Sequence, residues 1–257
     1  MELVAHLEGW HYEGDGWGPN PSHEGQARVL EALLTSKPLA LEGQQDLSQR
    51  LRPTYVRAAL SGWDGALKAD LELPWGQVLS LAADVLEHSD ESPFPVEGRS
   101  FDDDPDYTEA KKVAIRLLTH LAAKASAERI PDAQRNRLAD LLLAAASDAA
   151  AWRDYIATVG DEDSGSDPLM VSLNWKWPIL LRGLVNLVGL GGSPERQDRA
   201  LETLGRNLAL DYPRGASRAV LGEGSGNSST TPTTGYWRTF ARTSAREGQS
   251  TGISRSL

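Results

Sequence analysis

The sequence predicts an all-α protein, built as an irregular stack of antiparallel helical hairpins of the α-solenoid or bundle kind. Three observations predict it. Proline recurs at the head of apolar segments, at Pro53, Pro74, Pro105, Pro131, Pro168 and Pro194; its fixed φ is already helical, and its missing N–H would have no partner in a first turn. Behind those prolines, apolar residues repeat at helical spacing. Between them no run alternates β-branched or aromatic residues in the manner of a strand.

Taken in order, residues 1–23 read as a solvated N-terminal arm. "HEGQARVLEALLTSK" then predicts a helix that buries Val29, Leu30, Leu33 and Leu34. Val56, Ala59, Leu60, Trp63 and Leu67 form the stripe behind Pro53. Trp75, Val78, Leu79, Ala82, Val85 and Leu86 form the next, and the spacing makes core residues of Trp63 and Trp75. Val113, Leu117, Leu118 and Leu121 continue the series, followed by Leu138, Leu141, Leu142 and Ala145. Ala200, Leu201, Leu204 and Leu208 complete it behind Pro194. Asp104, Asp167 and Ser193 each precede one of the prolines and suit the N-cap, where a side-chain oxygen accepts from a free amide. The helical domain is expected over 24–223.

Residues 224–257 change character. Nineteen of these 34 residues are Gly, Ser or Thr, too few of the rest being apolar to offset the entropy of ordering them. A disordered tail is expected there. Six arginines and two glutamates give residues 212–257 a charge of +4, against 20 basic and 34 acidic residues before them. The acidic body repels nucleic acid and anionic lipid, so only the tail offers either a weak, salt-sensitive contact. The chain has no cysteine, which removes disulfides and thiolate chemistry and fits a reducing cytoplasm. Its start, "MELVAHLEGWHYEGDG", has neither the basic nor the apolar part of a signal peptide.

The longest apolar stretch, "DPLMVSLNWKWPILLRGLVNLVGL" at 167–190, carries Asn174, Lys176, Arg182, Asn186 and Pro178. Each central Lys or Arg in a spanning helix costs about 2.5–3.5 kcal/mol, so the stretch predicts a buried, kinked pair of helical turns. Leu169, Met170 and Leu173 are expected to face inward, then Ile179, Leu180, Leu184, Val185 and Val188 beyond the proline, with Gly189 ending the helix. Trp175 and Trp177 diverge by about 200° on a helix, which prevents one aromatic platform. Together with Lys176 and Arg182 they are nonetheless the candidate interaction surface.

No catalytic constellation emerges. Paired carboxylates are too numerous to choose among; those of the acidic loops at 102–106 and 161–167 are one instance that would serve an α-helical hydrolase, which needs one of them buried and raised in pKa. In "DDDPD", negative charge at a helix N-terminus explains the run. "DEDSGSD" has glycine, Gly165, at the fifth position of a calcium loop and lacks the closing glutamate. His6, His11, Glu13, Asp15, His23 and Glu24 are zinc-ligand types, but their spacing matches no helical pair of ligands. No metal and no cofactor is expected.

Two stretches carry a resemblance. "DPLMVSLNWKWPILLRGLV" has Asp-Pro, then Ser-Leu-Asn, then proline four residues on; "PTYVRAALSGWDGALKADLELPWGQVLSLAADVLEHSDESP" has a Leu-Pro-Trp turn opening the second helix of a hairpin. Both resemble the helical C-terminal regions of large bacterial antiviral proteins of the STAND-ATPase kind, over about residues 24–222. Trp177 stands where that pattern usually has arginine. The chain has no G-x-x-x-x-G-K-[ST] loop, so the resemblance implies a sensor or scaffold portion and not the ATPase. "SRAVLGEG" at 217–224 is similar to the start of a further helix, and its passage into Gly/Ser/Thr-rich sequence predicts a truncated or frame-shifted end. A non-catalytic module that binds another protein is the expectation, with the hydrolase and the nucleic-acid-binding tail as alternatives.

Overall fold

The computed structural model describes residues 2–13, 21–98, 103–124, 130–147, 152–153, 155–157, 167, 172–189, 193–210 and 219–221. The tail at 224–257, the loop at 161–166, Leu169 and Met170 lie outside them. Among the described residues the protein is all-α: α1 (Glu2–Gly9), α2 (His23–Ser36), a 3-10 turn (Pro38–Leu41), α3 (Leu47–Arg50), α4 (Pro53–Lys68), α5 (Trp75–Glu87), α6 (Thr108–Lys124), α7 (Asp132–Ser147), α8 (Lys176–Gly189) and α9 (Pro194–Leu210). The extended pairing among these residues is one isolated bridge between Glu91 and Asp106. The chain divides into two compact units, Met1–Ala145 and Ala146–Leu257.

Local chemistry sets the helix ends. Pro53 and Pro194 open α4 and α9 as first residues. Pro74 and Pro131 sit one position earlier, just outside α5 and α7. Pro105 does not open α6, which begins at Thr108, whose amide is taken by Asp106 Oδ1 at 2.8 Å. Ser22 caps α2 by accepting from the Gly25 amide at 3.1 Å. Helix α4 closes at Asp70, in the left-handed region at φ 64, with the Leu71 amide returning to Ala66 O at 3.0 Å.

In the first unit, α4 is the strut. Twelve of its 16 residues are buried, among them Tyr55, Val56, Ala59, Leu60, Trp63 and Leu67, so the stripe expected from periodicity is the core. Trp63 donates its indole N–H to Pro38 O at 2.9 Å, which satisfies the one polar atom of the largest buried side chain. Contacts between α2 and α4 advance together along both helices: Glu24 meets Arg57, Glu31 and Leu34 meet Gly62, and Thr35 meets Gly65. The two helices therefore run parallel. The same holds for α4 and the segment ending in α6, where Thr54 meets Asp104 and Asp64 meets His120. Alternate helices α2, α4 and α6 thus form one parallel layer, as happens when antiparallel hairpins stack side by side. Helix α5 packs on α3 and α6, and its Gly76 faces Gln134 of α7.

Several expected positions differ. Val29 of α2 is 67% exposed, whereas Leu30 and Leu34 are buried; the parallel approach of α4 selects the 27–30–34 face and leaves Val29 on the flank. Trp75 and Leu86 are half-buried. The described part of the expected arm at 1–23 packs on the fold: Val4 and Leu7 of α1 are buried, Glu8 forks onto Arg50 at 2.6 and 2.7 Å, and His23 is inaccessible, whereas residues 14–20 lie outside the described residues. In the second unit, α8 and α9 are antiparallel, with Trp177 beside Asn207 and Val188 beside Gln197. Pro178 falls in the first turn of α8, so it restarts the helix after the bend at Trp175. Leu173 is 46% exposed and not inward.

At Gly62 a Cβ would meet the backbone of α2, lying 2.7 Å from Leu34 Cβ and 2.8 Å from Glu31 O. Gly62→Ala should lower the unfolding free energy by about 1–3 kcal/mol through overpacking, although alanine is the better helix former. Gly9→Ala, with nothing within 4 Å, should leave stability level or raise it. Urea midpoints of the two variants read the difference.

Candidate functional site

Of the surface expected at the start of α8, Trp177 turns out to be core. Trp177 is only 1% exposed. Its ring stacks on Tyr155 at 5.0 Å between centroids and meets Trp152 at 4.6 Å, and its indole N–H donates to Asn207 Oδ1 at 2.8 Å. Asn207 is itself buried and donates to Thr203 O at 2.8 Å. Trp177 is therefore the centre of an aromatic core, reached because the bend at Trp175 turns the first helical residues inward. Trp175, Lys176 and Arg182 are half-buried, and Arg182 reaches Ser172 O at 3.5 Å.

The chemically dense region lies instead at the N-terminal end of α4, in the first unit. Arg52 occupies the N-cap of α4 and is buried. A cation there opposes the positive end of the helix dipole, and burial adds a desolvation cost, so the position demands carboxylates. Two supply it. Arg52 Nη1 donates to Asp103 Oδ2 at 2.9 Å and to Pro95 O at 2.7 Å, Nη2 donates to Glu97 Oε1, and the Phe94 ring lies 5.6 Å from the guanidinium carbon. The other oxygen of Asp103 accepts from Thr54 Oγ1 at 2.7 Å. Beside it, Arg57 donates to Asp104 Oδ2 and Glu24 Oε2, each at 2.6 Å.

Glu97 joins this cluster to the chain start. It accepts from the Tyr12 amide at 2.9 Å, faces His11 Nδ1 at 3.1 Å, and holds His23 Nε2 at 3.1 Å. His23 is fully buried, its Nδ1 2.8 Å from Tyr55 Oη. Burial disfavours the charged imidazole and Arg52 adds to this, so the pKa of His23 is lowered even though Glu97 pulls the other way. Burial also opposes ionisation of Glu97, but the Tyr12 amide, His11, His23 and Arg52 outweigh it and hold the carboxyl at about 2. Asp104 moves upward, because its burial exceeds what Arg57 returns. A second, smaller cluster ties α4 to α6, where buried Asp64 accepts from Lys68 at 2.7 Å and from His120 Nδ1 at 2.5 Å. Burial raises its pKa, but the two hydrogen bonds outweigh burial and leave it lowered.

Against the sequence expectations, Asp103 is not a solvated charge at a helix start but the buried partner of Arg52, and Asp104 turns to Arg57 and does not cap α6. Of the zinc-ligand types near the N-terminus, His11 and His23 converge on Glu97, Glu24 pairs with Arg28 and Arg57, and Asp15 lies outside the described residues. Among the described residues no group of three or more His, Asp or Glu is arranged to hold a metal ion. The importance of Arg52, His23, Tyr55 and Glu97 was not read from the sequence. One signal was available, an arginine directly before the proline that opens α4, where a negative residue is favoured.

Compared with known proteins, the chain matches no family model, no curated protein and no solved structure.

Two outcomes follow for stability. Arg52→Met leaves the Asp103 carboxylate buried without its cation and should cost about 3–5 kcal/mol, read from denaturant midpoints. For pH, the unfolded chain protonates His23 near its ordinary 6.5 while the folded chain resists, so stability should fall as pH drops below that value. Glu97 contributes stability that is present above 4.5 and lost as pH falls toward about 2. In His23→Gln the loss between neutral pH and pH 5 should shrink, whereas the limb below 4.5 remains.

Proposed function

We propose that this chain is a non-catalytic helical module that binds another protein, and that it corresponds to the sensor or scaffold portion of a bacterial defence protein of the STAND-ATPase kind. The observation that supports a non-catalytic role is the saturation of its most chemically capable region. Arg52, Arg57, Glu24, Glu97, Asp103 and Asp104 are bonded to one another, and Asp103 has both oxygens engaged. Held this way, Asp103 has neither oxygen left unbonded, and the cluster serves to pin Pro95, Glu97, Asp103 and Asp104 onto the ends of α2 and α4. A stack of hairpins held rigid by such pins presents a fixed surface, which is how helical arrays recognise partners. Among the described residues no helix is long and apolar enough to cross a membrane.

Affinity capture of the intact chain from its native host should recover a partner protein in near-stoichiometric amount; recovery of nothing above background refutes the module. The hydrolase alternative keeps one favourable observation, the raised pKa of half-buried Asp104. If it were the function, ester, phosphoester or glycoside turnover by the purified chain would be measurable and would vanish in Asp104→Asn. We expect no turnover above the uncatalysed rate.

A further inference from the structure

His23 is fully buried, and both of its ring nitrogens are engaged. Glu97 is held ionised by its neighbours and can only accept, so Nε2 carries the ring proton and donates to Glu97 Oε2 at 3.1 Å. Nδ1 is then a lone pair, which accepts the O–H of Tyr55 at 2.8 Å. Tyr55 is itself fully buried, and burial raises its pKa, so the hydroxyl keeps its proton and donates. The neutral imidazole thus has its donor and its acceptor both matched. A second proton has only Nδ1 to go to. There it faces the Tyr55 oxygen, whose own hydrogen must turn away and stay buried without a partner among the described residues.

The new charge would also arise at the first residue of α2, beside Arg52 at the head of the parallel helix α4, where both helix dipoles present their positive ends. Glu97 and Asp103 attract it, but Asp103 is already bonded to Arg52 and Thr54, and Glu97 to Arg52, the Tyr12 amide and His11. Three walls enclose the ring, and they differ in how firmly they are held. Helix α4 is the core strut, and Glu97 and Asp103 are fixed by Arg52. The third wall is Trp10, whose ring stands edge-on to His23 at 4.6 Å between centroids. It follows α1, a helix of 8 residues whose buried side chains, among those described, are Val4 and Leu7. Isolated helices shorter than about 12 residues are marginal in water, and the element with the least buried surface opens first.

We propose that residues 2–12 form an acid-released strap: when His23 takes a second proton, α1 and Trp10 leave the body of the first unit while α2 and α4 stay packed. The strap is fastened at Glu97 by the Tyr12 amide and by His11, and at Arg50 by Glu8. His11 works against release, because a positive charge on its exposed ring attracts Glu97. His23 works for it, since its cation is tolerated only once Trp10 has moved aside and water reaches the ring. Release uncovers the surface that Val4, Leu7 and Trp10 occupy in the closed state.

The chain has no cysteine, so a single nitroxide can be placed on the full chain, either on the strap through Ala5→Cys or on α2 through Val29→Cys, both exposed positions. Electron paramagnetic resonance then gives the ratio of mobile to restricted label across the range in which histidine titrates, about pH 7.5 to 4.5. The released chain protonates His23 near its ordinary 6.5 while the closed one resists. The ratio at position 5 should therefore rise by up to about tenfold for each pH unit below that value, with the label at 29 and the helical circular dichroism unchanged. In His23→Gln, whose amide can donate to Glu97 and accept from Tyr55 yet takes no proton, the rise should vanish. Leu7→Ala weakens the seat of α1 and leaves His23, Tyr55 and Glu97 in place, so it should release the strap at a higher pH. A ratio at position 5 that is flat with pH, or that rises equally in His23→Gln, overturns the strap. So does a label at 29 that loosens in step with the one at 5, since the acid response is then unfolding of the whole unit, and so does a midpoint that Leu7→Ala leaves where it was.

Discussion

The first unit depends on how closely α2 can approach α4. Gly62 and Gly65 remove the side chains that would hold the helices apart, and the backbones meet at a distance where an added methyl group has no room. That approach fixes the parallel register of the two helices, and the register in turn decides which residues become core. Leu30 and Leu34 are buried by it and Val29 is left out. It also sets His23 beside Tyr55 and Glu24 beside Arg57, since both pairs lie on the same advancing line of contacts. The ionic cluster is therefore a consequence of helix packing, assembled where two helix starts are brought side by side.

How much of this was legible in the sequence depended on the range of the interaction. Proline at 53 and 194, and the apolar spacing from Val56 to Leu67, are local signals, and they placed α4 and α9 and the buried stripe correctly. The ends of α5 and α7 moved by one residue, which is the ordinary tolerance of a boundary. Asp103 and Asp104 were misread because a run of carboxylates before a helix has a sufficient local explanation. Their true partners, Arg52 and Arg57, are 51 and 47 residues away, and no spacing rule connects them. Trp177 was misread for a related reason: its acceptor, Asn207, is 30 residues away on α9, and which way the tryptophan points is set by the bend at Trp175, which spacing alone does not show.

The second unit shows the same logic on a smaller scale. Trp177 carries an N–H that cannot be buried without an acceptor, and Asn207 supplies one from the antiparallel helix α9. The amide of Asn207 then needs acceptors of its own and finds one at Thr203 O, within its own helix. An aromatic core in this unit thus brings a chain of polar obligations with it, each met by the next residue.

The sequence distances within the Glu97 cluster bear on the order of folding. His11, His23 and Arg52 reach that carboxylate across 86, 74 and 45 residues, so the entropy of closing those loops is spent before any of the bonds can form. Pairing of α2 with α4 closes shorter loops, of 27 to 33 residues, at a smaller entropic cost. Contacts absent from a folding transition state act on the unfolding rate and not on the folding rate. A cluster closed over such distances is suited to prolonging the native structure and not to hastening its arrival.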